Sequence, residues 1–180
     1  MQNTRGFSAL EAGMMMLPGA IVMGIMSPIT GMLFDKYGAK WLAAIGLTIV
    51  TITTYFFTNL TMDTSYTLLV VVYAIRMLGL SLVMMPVMTA GLNQLPQEWH
   101  PHGTAMANTF QQVSASIGTA ILITVMTSAA KNYQPEQAAL AGLSEEEAIL
   151  QFANNASMSG FNTAFWLATA LSIVGLALSF

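Results

Sequence analysis

Cysteine is absent from the 180 residues, so no disulfide framework, thiolate nucleophile or thiolate metal site is available. Charge is nearly as scarce. Five Lys and Arg accompany eight Asp and Glu, and charged residues make up 7% of the chain, against about 25% in an ordinary soluble domain. So little charge cannot cover a water-facing surface. With 55% hydrophobic residues and a mean hydropathy of +0.64, the chain reads as an integral membrane protein. Its formal net charge of −3 lacks the basic footprint that nucleic-acid binding needs. The opening residues, MQNTRGFSALEAG, have no basic region followed by a short apolar core, so no signal peptide is expected.

Long apolar runs stand where charge is missing. A helix crosses a bilayer in about 20 apolar residues. Runs at 9–34, 41–58, 66–95, 103–130 and 161–180 meet or approach that length, which predicts an all-α integral membrane fold of five transmembrane helices in one domain. The first run is entered through Glu11 and contains Pro18 and Pro28, each expected to kink it. Its Gly13, Gly19, Gly24 and Gly31 suit close helix contact. The second holds Thr48, Thr51, Thr53 and Thr54, able to bond back to their own helix, and ends in an interfacial aromatic belt of Tyr55, Phe56 and Phe57.

Residues 59–65 read as a return loop. The third run is the longest, overreaches a roughly 30 Å hydrocarbon core, and should tilt or project. It carries a kink candidate at Pro86. Residues 96–102, PQEWHPH, read as a turn. The stretch 131–160 is hydrophilic. Ser144 and Glu147 form an S-x-x-E capping box ahead of 148–152, which predicts a short surface helix flanked by loop.

Between the first two runs lies GMLFDKYGAK, residues 31–40. Asp35, Lys36 and Lys40 carry charge and Gly38 supplies a turn, so the flanking segments should run antiparallel with this link at the membrane surface. The stretch resembles the G-x-L-x-D-[RK]-x-G-x-[RK] loop of the major facilitator superfamily, matched by Gly31, Leu33, Asp35, Lys36, Gly38 and Lys40. With SALEAGMMMLP (8–18) and the region 102–127, nearly the whole chain is similar to the C-terminal half of the fourteen-helix drug:proton antiporters. That resemblance implies a gating role for the 31–40 loop, with 35–40 and 96–102 in the cytoplasm and 59–65 and 131–160 outside. Charge alone does not decide the orientation. A half-transporter of this family has six helices, so five implies a chain lacking the first helix of its half and the whole N-terminal half. A fragment or a gene truncated at its 5′ end is therefore expected, in a bacterial plasma membrane.

Few residues carry chemistry. Arg76 lies about 15 Å into the third run, where a charge costs at least roughly 2.5–3.5 kcal/mol and should face the bundle interior or a wet cavity. Its setting, YAIRMLG, resembles the R-x-x-G pattern of the family's cavity-lining helices, which implies a link to proton coupling. The plainer reading pairs it with backbone carbonyls or a partner helix. Asn108, Gln112, Ser116 and Thr119 recur at helical spacing on one face of the fourth run. They either line a substrate cavity or make interhelical hydrogen bonds.

No carboxylate sits inside any span: Glu11 is at an edge, and Asp35, Asp63 and Glu98 are in loops. Arg76 keeps its proton, so this chain alone should not couple transport to protons, and the coupling acid belongs to the missing half. Most of the fifteen methionines read as core or lipid contacts, though Met14–Met16 and Met84–Met85 also suit an adaptable drug pocket. Asp35 suits a helix N-terminus or the gate, and Lys36 and Lys40 suit anionic headgroups. Glu98, His100 and His102 are too few, with Pro101 between them, to make a metal site. No metal or cofactor is expected.

Two functions follow. The first is part of a secondary transporter exporting small lipophilic or amphipathic compounds by proton-coupled alternating access, with membrane lipids, protons and the cargo as partners and no nucleic acid. The second is a non-transporting membrane scaffold descended from a transporter half. An enzyme is not expected, since no intramembrane His, Asp, Glu or Cys offers a base or nucleophile partner.

Overall fold

The computed structural model describes residues 9–59, 64–133 and 145–179. Four helices account for nearly all of them: α1 (Ala9–Phe56), α2 (Tyr66–Leu92), α3 (His100–Lys131) and α4 (Glu145–Leu178), with 3-10 turns at Phe57–Asn59 and Gln97–Trp99. All four are long and apolar enough to cross a membrane.

α1 is two rods. Gly38 alone leaves helical dihedrals, at φ 76° and ψ 169°, a region open essentially only to glycine. The contacts of α2 show what this does. Along the first arm, 9–37, Gly19 meets Tyr73 and Met77, and Gly31 meets Met85. The numbers rise together, so this arm runs parallel to α2. Along the second arm, 39–56, Gly46 meets Leu82 and Val83 while Ile49 meets Gly79. Here one number rises as the other falls, so this arm is antiparallel to α2. The chain therefore reverses at Gly38, and five rods are present.

The loop expected over 31–40 is shorter than the charge pattern suggested. Residues 31–37 stay helical and only Gly38 breaks, because one left-handed glycine reverses the chain without further loop. Nor do Pro18 and Pro28 interrupt α1. Pro86 likewise sits inside α2, fully buried.

Glycines seal the seams. A Cβ on Gly46 would fall 2.6 Å from the carbonyl oxygen of Gly79, so these backbones touch as small residues in membranes allow. Gly160 packs on Met126 and Ala130 to join α4 to α3, and Gly103 packs on Leu92 and Leu95 where α3 leaves α2. Of the four glycines expected to mediate contact in the first run, Gly19 and Gly31 do, while Gly13 and Gly24 have nothing nearby.

At the end of the bundle away from Gly38, Met15, Phe57 and Leu69 form a small buried cluster. Phe57 stacks on Phe165 of α4 at 5.3 Å, and Tyr55 meets Trp166 edge-on at 5.6 Å. The expected aromatic belt is thus split: Phe57 is core, while Tyr55 and Phe56 stay exposed.

The 131–160 reading is corrected over its second part. A single helix runs from Glu145 through Leu178, with no loop between a surface helix and a span at 161. Phe152, Ala156 and Gly160 recur every four residues and form its inner edge. Phe152 lies 5.9 Å from the ring of Tyr133, Ala156 is buried, and Gly160 lies against α3. Packing against α3 draws this moderately polar stretch into the helix. Ser144 of the capping box lies outside the described residues, as does most of the return loop at 59–65. The 96–102 turn shortens to one 3-10 turn. His100 already starts α3, with Pro101 in its first turn, where a missing N–H costs nothing.

Candidate functional site

α3 is the helix least engaged with the rest. None of its residues is buried. At one end Gly103 anchors it to Leu92 and Leu95, and at the other Met126 and Ala130 meet Gly160 of α4. Asn108, Gln112, Ser116 and Thr119 step by four, four and three residues. The same steps continue through Ile123 to Met126 and Ala130, so all lie on one helical face.

α4 covers that face at the Met126 end only. Further along, α4 turns to the second arm of α1, reaching it through Tyr55–Trp166 and Gly175–Leu47. The polar part of the α3 face is left open, and all four of its polar residues are exposed. Thr119 donates to the Ala115 carbonyl of its own helix at 2.7 Å. Among the described residues Asn108, Gln112 and Ser116 have no hydrogen-bond partner. The interhelical hydrogen bonds weighed for this stripe are therefore not made within the described chain.

The opposite side of α3 borders an apolar cleft of about 510 Å³ at the α2–α3 junction, lined chiefly by Met88, Leu92, Leu95, Trp99, Met106 and Phe110. His102 stands at this cleft with its ring 5.8 Å from that of Trp99. The ring of His100 is 3.1 Å from the Leu95 carbonyl. Both histidines thus serve the turn. Among the described residues no three His, Asp or Glu gather as metal ligands would.

Arg76 sits one turn beyond Tyr73 on α2, half-buried, with its Nε shut away from solvent and without a hydrogen-bond partner. The contacts between α2 and α3 named above lie beside their turn, so Arg76 and the polar face of α3 are not brought together there.

The 31–40 residues form a separate group. Gly31 lies under Met85, whose sulfur accepts a hydrogen bond from Ser27 at 3.7 Å. Asp35, Lys36 and Lys40 are exposed around Gly38. The Lys36 ammonium is 5.3 Å from the ring of Tyr37. Along the parallel pairing of α1 and α2, Asp35 is level with residue 89, about 20 Å from Arg76.

The threonines of the second arm behave as expected at three positions. Thr48, Thr53 and Thr54 donate to the carbonyls of Ala44, Ile49 and Val50. The Thr51 hydroxyl is buried without a partner, as is that of Thr30. Sequence reading missed the Gly46, Gly79 and Gly160 seams. Their signal was available only as small residues on the inner faces of runs already known to be apolar.

Comparison with known proteins agrees with the fold. The model of the Major Facilitator Superfamily matches residues 1–119. The MFS-type transporter YcnB of Bacillus subtilis is 45% identical over 99% of this chain and 35% of its own length. The lincomycin resistance protein LmrB of Listeria innocua is 38% identical over 99% of this chain and 36% of its own. The MFS-type transporter YhcA of Bacillus subtilis is 58% identical over 71% of this chain and 24% of its own. The chain thus spans about a third or less of the length of these bacterial relatives. An all-α membrane bundle reversed at a Gly38 hairpin, matched over residues 1–119 by the model of one transporter family, belongs to the major facilitator superfamily.

Proposed function

We propose that this chain is the C-terminal part of a fourteen-helix exporter in a bacterial plasma membrane, moving lipophilic or amphipathic drugs outward by proton-coupled alternating access. The observation that carries this reading is the open polar face of α3. Asn108, Gln112 and Ser116 lie exposed and unpaired on a helix otherwise apolar enough to cross a membrane. Polar groups in that position face a bundle interior or a wet cavity. In this family's architecture the cavity lies between two halves, and the remaining two thirds of the relatives' length is enough to supply the other wall.

Similarity to lincomycin resistance proteins over 99% of the chain supports a drug as cargo. The apolar cleft beside α3 and the exposed Met84 and Met85 suit greasy compounds of varied shape. Asp35, Lys36 and Lys40 around the Gly38 reversal serve as the gate at the cytoplasmic surface. The coupling acid is assigned to the remainder of the parent transporter, with Asp35 and Glu98 exposed at the ends of their helices.

Efflux of ethidium from cells expressing the full parent transporter tests this. Export should slow when Asn108 and Gln112 are both replaced by Ala, and should stop when a protonophore collapses the proton gradient. Unchanged export by the double variant removes the α3 face from the transport path.

A further inference from the structure

Arg76 is the one cation in the interior of the described helices, and its placement asks for an anion. Lys36 and Lys40 stand exposed at the Gly38 end, and Lys131 closes the last turn of α3. Arg76 instead lies ten residues into α2, one turn from Tyr73, with its Nε sealed off and no hydrogen-bond or ion-pair partner among the described residues. A guanidinium does not shed its proton to escape such a setting. Asp35 and Glu98 are both remote. Asp35 is about 20 Å away along the helix axis, and Glu98 lies farther, beyond the end of α2. Of the three guanidinium nitrogens only Nε is shut away from solvent without a partner, which leaves the two Nη groups as the accessible edge.

Building on the transporter reading above, we propose that Arg76 is a carboxylate-binding site, engaging the anion end-on through its two Nη groups. With Nε enclosed, that pair is the remaining fork that matches the two oxygens of a carboxylate. Two sources have this chemistry: an Asp or Glu side chain elsewhere in the parent transporter, and an acidic group on the cargo.

The test uses pyrenebutyrate as probe and the equally greasy but neutral pyrenebutanol as control, titrated by fluorescence anisotropy into the purified chain in an uncharged detergent. The chain should bind pyrenebutyrate at least about tenfold more tightly than pyrenebutanol. Arg76→Gln should erase that preference and leave pyrenebutanol binding and the helical circular dichroism spectrum unchanged. Arg76→Lys should keep part of it, as a point charge without the fork.

A second readout needs no variant: the nitrogen-15 resonance of the Arg76 Nε should move with pyrenebutyrate and stay still with pyrenebutanol. Equal affinity for the two probes, or a preference that survives Arg76→Gln, overturns the proposal. Repeating the titration on the full parent separates the sources. Undiminished binding assigns the site to cargo. Lost binding that returns on neutralising one Asp or Glu elsewhere assigns it to that side chain. Export plays no part in this titration, so a parent that fails the ethidium experiment leaves it intact.

Discussion

Gly38 is where one residue decides most. Its φ of 76° and ψ of 169° belong to a region that residues with a Cβ enter at a cost of about 1–3 kcal/mol. Gly38→Ala should therefore lower stability by about that amount, read as earlier thermal unfolding in detergent. Gly24→Ala should do the reverse. Gly24 is helical with nothing within 4 Å, and alanine in a helix interior is favoured by up to about 1 kcal/mol over glycine.

The turn at Gly38 was legible from the chain, because charge, glycine and two flanking apolar runs coincide there. Its brevity was not, since charge density says where the chain meets water and not how many residues leave the helix. The position of Arg76 inside a helix was legible for a similar reason: a lone charge in a long apolar run has few other settings. What its guanidinium meets was not legible, because neighbours on other helices have no mark in the local sequence.

Where α1 and α2 cross at Gly46 and Gly79 they pair through backbone contact. Gly46 and Gly79 face one another so closely that a Cβ on Gly79 would lie 2.9 Å from Ile49 Cγ2 and 3.0 Å from the Gly46 carbonyl oxygen. Gly79→Val should push the second arm of α1 off α2 and cost about 1–3 kcal/mol through overpacking, measured by thermal unfolding alongside Gly118→Ala. Gly118 has no neighbour within 4 Å, so its alanine variant should unfold no earlier than the parent.

α4 shows how an element can escape a hydropathy reading. Residues 151–160 contain Gln151, Asn154, Asn155, Ser157 and Ser159 and fall short of a lipid-facing run. The four-residue spacing of Phe152, Ala156 and Gly160 was present in the same stretch, and it is this edge that packs on Tyr133, Met126 and Ala130. Amide hydrogen exchange should accordingly be slow across 152–160 in detergent. Exchange there as fast as in an open loop would remove the helical continuity of α4.

As a whole, the chain is a bundle with one side unfinished. α1 and α2 pack along their length, α4 bridges from α3 to α1, and α3 leans out, held near its two ends. The helical class and the Gly38 hairpin could be read from apolar run length and one motif. The openness of α3 could not, because helical spacing groups Asn108, Gln112 and Ser116 on a face without saying what covers it. In the parent transporter we expect water and cargo on that face.

Thiol labelling checks this in a setting that the absence of cysteine from the chain keeps clean. Single cysteines would be placed at Asn108, Gln112 and Ser116, and at Ile117 and Ile121 on the far side of α3, in the full parent cleared of its own cysteines. A charged, membrane-impermeant methanethiosulfonate should modify the first three and spare the other two, and cargo should slow the reaction at Gln112. Equal modification of both sets, or modification of Ile117 and Ile121 alone, would contradict a solvent-lined polar face on α3.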